Sequence, residues 1–156
     1  MSAAAKIAIF GGSFNPVHTG HVGLVKSAFA RLDLDLVIVV PAFVSPFKTS
    51  SGERDFFAPE ARLKLVKEAF KDFPKVVVDT RELDKGGVSY TIDTVREIAK
   101  EHPGAKLYLL MGDDAVQGLE RWKDYAELKR LCEFEVFKRT PESSTAIREQ
   151  LRQEQA

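Results

Sequence analysis

The chain has 156 residues, of which 44% are apolar and 29% charged, so its length and composition are those of one ordinary globular domain. They exclude a fully disordered chain, a collagen and a disulfide scaffold, and the longest apolar run, 34–47, is too interrupted for the roughly 20 residues that span a bilayer. Lys and Arg together number 23, as do Asp and Glu, and this zero net charge argues against a long nucleic acid as partner, though not against a small phosphorylated ligand.

Two features bear on location. Residues 1–6 lack a charged region followed by an apolar stretch, so no secretory signal is visible. The single cysteine, Cys132, cannot form an internal disulfide, which favours a reducing compartment. We therefore expect a cytoplasmic protein that does not bind membranes, while the sequence does not indicate an oligomeric state.

Apolar runs alternate with helical patterns along the chain. In chain order, the predicted elements are strand Lys6–Phe10, helix Thr19–Leu32, strand Leu34–Val40, helix Pro59–Phe70, strand Lys75–Val78, helix Tyr90–Glu101, strand Lys106–Met111, helix Asp114–Leu131 in one or two pieces, edge strand Cys132–Phe137 and helix Ser144–Arg152. This order predicts an α/β, Rossmann-like doubly wound fold, a mainly parallel sheet with helices on both faces, in a single domain over 1–156. Ligands of such sheets bind at the carboxyl ends of the strands.

The most unusual residues follow the first predicted strand, in the loop 11–21. Glycines let the backbone approach a ligand closely, and the helix that starts near Thr19 is expected to present unpaired amides and its positive dipole end to an anion. His18 and His21 lie across that start and can face one phosphate group. The glycine spacing fits neither the dinucleotide fingerprint nor the phosphate-binding loop, and His-x-x-His alone offers too few ligands for zinc. Two surface histidines on an ordinary turn are the alternative.

Two segments resemble one enzyme family. Gly12-Ser-Phe-Asn-Pro-x-His-x-Gly-His21 is similar to the signature of the nucleotidyltransferase α/β-phosphodiesterase superfamily, whose members are adenylyl- and cytidylyltransferases. Ser143–Arg148 resembles the second signature of that superfamily. There Ser144 or Thr145 can cap a helix and Arg148 can offer a fork of donors to phosphate, although the segment by itself also fits an ordinary capped helix.

Three more segments resemble the nicotinate mononucleotide adenylyltransferase branch of this superfamily. They are Ser89–Thr94, Gly112–Asp114 with the downstream Leu119 and Trp122, and Pro46–Lys48. The chain departs from the branch in two places. Only Thr140–Glu142 separate the last strand from the second signature, and Asp113 replaces a small residue. Arg62, on a predicted amphipathic helix, is interpreted as structural.

The resemblance implies transfer of an adenylyl group from ATP to the 5′-phosphate of nicotinate or nicotinamide mononucleotide, with release of pyrophosphate, in NAD biosynthesis. Mg²⁺ is expected to accompany ATP, held mostly by ligand and water rather than by a protein metal site. The implied catalytic residues are His18, His21, Lys48 and Arg148. The implied ATP-binding residues are Gly11, Gly12, Ser13, Phe14, Gly112, Asp114, Ser144 and Thr145, and the implied mononucleotide-binding residues are Tyr90, Thr91 and Trp122.

Purely structural roles are the alternatives for four of these residues. Trp122 could be a core residue, Tyr90 and Thr91 an ordinary helix start, and Lys48 a solvated loop lysine. For the whole chain, the rival functions are a sister enzyme that uses pantetheine phosphate or CTP, and a catalytically weak nucleotide-binding module. If His21 acts on phosphate, His21→Ala is expected to lower turnover and leave folding intact.

Overall fold

The computed structural model describes residues 4–14, 16–43, 58–113 and 118–138. Its described strands form one five-stranded sheet in the order β3-β2-β1-β4-β5, and every neighbouring pair is parallel. The strands are β1 Lys6–Gly12, β2 Leu36–Pro41, β3 Val76–Val78, β4 Lys106–Gly112 and β5 Glu133–Phe137. The helices are α1 Thr19–Arg31, α2 Pro59–Phe70, α3 Arg81–Lys85, α4 Thr91–Glu101 and α5 Tyr125–Leu131, with a 3₁₀ turn at Leu119–Arg121.

The two faces of the sheet carry two separate core clusters, because side chains alternate along each strand. On β1, Ile7 and Ile9 belong to the first cluster, which α4 and α5 cover, while Ala8 and Phe10 belong to the second, which α1 and α2 cover. The predicted doubly wound parallel sheet with helices on both faces is therefore confirmed.

Several predicted boundaries were wrong. β1 does not end at Phe10, since Gly11 and Gly12 continue the parallel register with β2. In the described part of the predicted helix 114–131, which begins at residue 118, Gly118 (φ 77°) and Asp124 (φ 52°) adopt the left-handed conformation, and the helical residues there form two pieces, the 3₁₀ turn and α5. The five-residue helix α3 was missed, because its polar segment RELDK shows no apolar periodicity.

The last described strand, β5, lies at the edge of the described sheet, as predicted. The side chains in and next to this strand differ in burial. Cys132 is buried and Phe134 packs on the first cluster, but Val136 is 38% exposed, whereas Phe137 is buried in the second cluster under the Arg31 guanidinium. The predicted helix Ser144–Arg152 lies outside the described residues. Among the helices that are described, none combines the length and apolarity that crossing a membrane requires.

Candidate active site

The carboxyl ends of β1, β2 and β4 open onto a cavity of about 280 Å³. Such a position is typical of ligand sites in parallel α/β sheets. The cavity brings together seven of the residues that were expected to bind substrates. They are Gly11, Gly12, Ser13, Tyr90, Thr91, Gly112 and Trp122.

The two histidines of the first motif cap the start of α1 reciprocally. His18 is the N-cap, and its Nδ1 accepts the Gly20 N–H at 3.0 Å, while the Nδ1 of His21 accepts the His18 N–H at 3.0 Å. Their rings are stacked with centroids 3.8 Å apart. Because each Nδ1 accepts a hydrogen bond, each neutral ring carries its proton on Nε2, the nitrogen that points away from the capped backbone.

This cap corrects one expectation about the helix start. The Gly20 N–H is used by His18, and the His21 N–H bonds to the His18 carbonyl at 3.0 Å. These two amides are therefore engaged within the turn, so the expectation of a set of unpaired amides is wrong for them. The imidazoles are therefore further groups that this helix start can offer to an anion, besides any amide that the turn does not use.

The His21 ring is packed between two phenylalanines. Its centroid lies 4.9 Å from that of Phe14 and 6.0 Å from that of Phe10. Burial, and secondarily the charge of His18, lowers the pKa of His21 to about 3. At neutral pH, His21 is thus an uncharged donor. His18, His21 and Phe14 stand outside the lining of the cavity, and they adjoin it through Phe10 and the Gly11–Ser13 stretch, which do line it.

Arg62 joins the loops that follow β1 and β2. Its side chain is fully buried, and Nη1 donates to the carbonyls of Ser13 and Ala42 at 2.6 Å each, while Nη2 donates to the carbonyl of Phe43 at 3.0 Å. The structural interpretation of Arg62 fits this position, but the sequence did not reveal that it organises the site. The available signal was an arginine on the same helical face as the buried Val66 and Phe70.

The opposite wall of the cavity is built by α3 and α4. Glu82 lines the cavity and accepts the Thr94 hydroxyl at 2.5 Å, and burial raises the pKa of this carboxyl. Arg81, next to it, pairs with Asp79 and Glu101 at 2.7 Å each. The Glu82–Thr94 hydrogen bond joins α3 to the first turn of α4, next to Tyr90 and Thr91, while the Arg81–Glu101 pair joins α3 to the last residue of α4. Sequence reasoning missed Glu82, because an isolated acidic residue in a polar segment carries no pattern.

The position of Trp122 is compatible with both of its proposed interpretations. It lines the cavity, and it also packs half-buried against the first core cluster. Tyr90 is 39% exposed, and the Lys123 ammonium lies 4.7 Å from its ring centroid. The mouth therefore combines aromatic surface with positive charge.

Five expected site residues fall outside the described parts of the chain. They are Lys48, Asp114, Ser144, Thr145 and Arg148. Within the described parts, no group of three or more His, Cys, Asp or Glu side chains could hold a metal ion.

Comparison with known proteins agrees with this geometry. Residues 9–153 match the model of the cytidylyltransferase-like family, which places the chain among the nucleotidyltransferases. A protein of Aliarcobacter butzleri assigned as a nicotinate-nucleotide adenylyltransferase is 35% identical over 92% of this chain and 77% of its own length, and one of Nitratiruptor is 40% identical over 86% and 73%. The chain belongs to the nicotinate-nucleotide adenylyltransferase family, as its motifs had predicted.

Solved structures share the fold. The Vibrio parahaemolyticus chain assigned to this activity superposes with a TM-score of 0.76 at 24% identity, covering 94% of this chain and 80% of its own. The Plasmodium falciparum nicotinic acid mononucleotide adenylyltransferase, solved with NaAD, superposes with a TM-score of 0.70 at 15% identity, covering 93% and 83%. At 24% and 15% identity, these two superpositions support the fold alone.

We predict that Arg62→Leu lowers the free energy of unfolding by roughly 2–4 kcal/mol, because carbonyls of two loops lose a buried donor. Urea denaturation measures this loss. Lys64→Leu, at an exposed position of the same helix, is the control and should change stability by less than about 0.5 kcal/mol. Equal stabilities of the two variants would contradict the role of Arg62.

Proposed function

We propose that the protein transfers the adenylyl group of ATP to the 5′-phosphate of nicotinate mononucleotide and releases pyrophosphate, the step that forms the dinucleotide in NAD biosynthesis. Its family membership supports this activity. The observation that carries it is the joined site: a capped pair of imidazoles beside a cavity at the carboxyl edge of the sheet.

The chemistry needs no general base, because the attacking mononucleotide phosphate is already an anion. It attacks the α-phosphorus of ATP in line as pyrophosphate leaves. The protein must bring two anions together and stabilise the charge that develops on the α-phosphate. His18 and His21 fit this task, since a neutral imidazole whose Nδ1 accepts a backbone N–H presents Nε2–H as a donor.

The arrangement supports one placement of the substrates. The pyridine mononucleotide occupies the cavity, with Trp122 against the ring and Tyr90 and Thr91 near its substituent. The reacting phosphates lie where Gly11–Ser13 meets the histidine pair, over the backbone of Phe14. The adenosine lies near Gly112.

The roles of the residues outside the described ranges remain proposals from the resemblance. Lys48 neutralises phosphate charge, and Asp114 binds the ribose. Ser144, Thr145 and Arg148 hold the β- and γ-phosphates that depart.

Magnesium enters as the complex with ATP. As the resemblance implies, this ion would be held mostly by the triphosphate and water rather than by protein side chains. It would supply charge neutralisation of the triphosphate.

A cytoplasmic location is also proposed. The Cys132 thiol is buried, and burial raises its pKa to about 12. An unreactive single thiol is compatible with a reducing compartment.

The function is tested by pyrophosphate release with nicotinate mononucleotide, nicotinamide mononucleotide and pantetheine phosphate, each with ATP and with CTP. We expect the highest kcat/KM for nicotinate mononucleotide with ATP. A faster reaction with pantetheine phosphate or CTP would establish a sister enzyme, and ATP binding without product in any combination would establish a nucleotide-binding module.

The substitution His21→Gln distinguishes a role of His21 in catalysis from its role in capping α1. Residue 21 is the N3 position of the cap, where glutamine can accept the His18 N–H, but its flexible amide lacks the rigid ring that holds Nε2–H in a fixed position. We predict that His21→Gln lowers kcat roughly 100- to 1,000-fold and costs less stability than His21→Ala, because it keeps the cap while both variants lose the ring packing on Phe10 and Phe14.

His21→Ala is the comparison, measured in the same assay and by urea denaturation. Contrary to the expectation from sequence, it should also lose about 1 kcal/mol of stability, because alanine removes the acceptor of the cap. Near-normal turnover of His21→Gln would remove this histidine from the chemistry.

Lys123 favours the acid over the amide form of the pyridine ring. A positive charge at the mouth attracts a carboxylate, although exposure to solvent limits the gain to about 0.5–1 kcal/mol. We predict that Lys123→Gln raises KM for nicotinate mononucleotide roughly 2- to 5-fold and leaves KM for the amide unchanged.

Lys129→Gln is the matched control, because the Lys129 ammonium also lies over a tyrosine ring, 4.8 Å from that of Tyr125, on α5. It should leave both KM values unchanged. An equal rise of both KM values in Lys123→Gln would show that the charge does not discriminate.

A further inference from the structure

Phe14 has an unusual backbone and a buried side chain. Its φ is 48°, in the left-handed region that bulky residues rarely adopt, yet only 3% of its surface is exposed. The carbonyl of the preceding residue, Ser13, is held by the Arg62 guanidinium. Strained residues persist where surrounding contacts over-determine them, and they concentrate at functional sites. The Arg62 contact to Ser13 therefore fixes the loop immediately before this ring.

The ring of Phe14 packs edge-on against His21. The two rings are 4.9 Å apart at 73°, and Phe14 also meets Phe10 at 5.3 Å and 87°. Phe10 in turn lies 6.0 Å from His21. Two phenyl rings thus shield one side of the imidazole from water.

The charged form of His21 is disfavoured from several directions. From its own helix start it faces His18, while β1 and the following loop contribute the uncharged Phe10 and Phe14. A charged group bound to this loop is the Arg62 guanidinium, which donates to the Ser13 carbonyl. The low pKa of His21 agrees with this geometry.

Protonation of His21 would damage the site directly. A proton on Nδ1 would oppose the His18 N–H, donor against donor, and break the reciprocal cap. The cap and the Nε2–H donor therefore both require the neutral ring.

We propose that Phe14 is a positioning residue, whose buried ring holds His21 as the neutral imidazole that accepts at Nδ1 and donates at Nε2. Its consequence for turnover rests on the proposed function, whereas its effect on His21 can be measured in the resting protein. A ring that merely filled the core would stabilise the fold without setting the protonation of His21.

The test is an NMR titration of the histidine side chains in the whole protein. The chain has three histidines, and His21→Gln identifies the signal of His21. In the wild type we expect this signal to stay that of a neutral ring down to about pH 4. In Phe14→Leu, water reaches the ring, and we expect the midpoint to rise by roughly one pH unit or more.

Phe70→Leu is the matched control, since Phe70 is equally buried in the same cluster and packs on Phe73 instead. It should leave the His21 midpoint at the wild-type value. If Phe14→Leu does not fold, Phe14→Gly replaces it, because glycine accepts the positive φ while deleting the ring. An unchanged midpoint in the folded Phe14 variant, or an equal rise in Phe70→Leu, overturns the proposal.

Turnover is measured separately. The acid limb of kcat should move to higher pH in Phe14→Leu, following the midpoint, and stay in place in Phe70→Leu. A shifted midpoint without a shifted acid limb overturns the link to catalysis. The NMR result decides the positioning role even if the protein transfers no adenylyl group.

Discussion

The reciprocal cap between His18 and His21 is the constraint on which the site depends. One pair of hydrogen bonds starts α1, stacks the two imidazoles and fixes which nitrogen of each ring carries the proton. Helix starts usually attract anions through their amides and dipole. In this protein two of those amides are engaged within the turn, and the two imidazole side chains are the proposed donors. The hydrogen bonds that begin α1 therefore also determine which imidazole nitrogen can donate to the substrate.

Buried polar contacts hold the loops around this helix start. The Arg62 fork ties the ends of β1 and β2 together, and the Glu82–Thr94 hydrogen bond fixes α3 against α4 on the far side of the cavity. Buried charges add little net stability, but removing one partner is costly. Their contribution is to fix geometry, which a site that must align two phosphates in line requires.

The fold was largely predictable from the sequence, because runs such as Leu36–Pro41 are buried on both faces and alternate with helical patterns. The motif also placed His18 and His21 at a helix start. Their hydrogen bonds could not be predicted, since local sequence shows the spacing of side chains but not which backbone groups they cap. The roles of Arg62 and Glu82 were not predicted for a related reason. Their hydrogen-bond partners lie in loops or helices distant along the chain, and no periodicity in the sequence indicates such contacts.

The central claim is that the Nε2–H groups of the histidine pair face the reacting phosphate. Its most direct test is a crystal structure of the protein with a non-hydrolysable ATP analogue and nicotinate mononucleotide. The account predicts Nε2 of His21 within roughly 2.7–3.2 Å of an oxygen of the α-phosphate, with both Nδ1 atoms still bound to the backbone. A nucleotide held away from the start of α1, or a His21 ring flipped so that Nδ1 meets the phosphate, would contradict it.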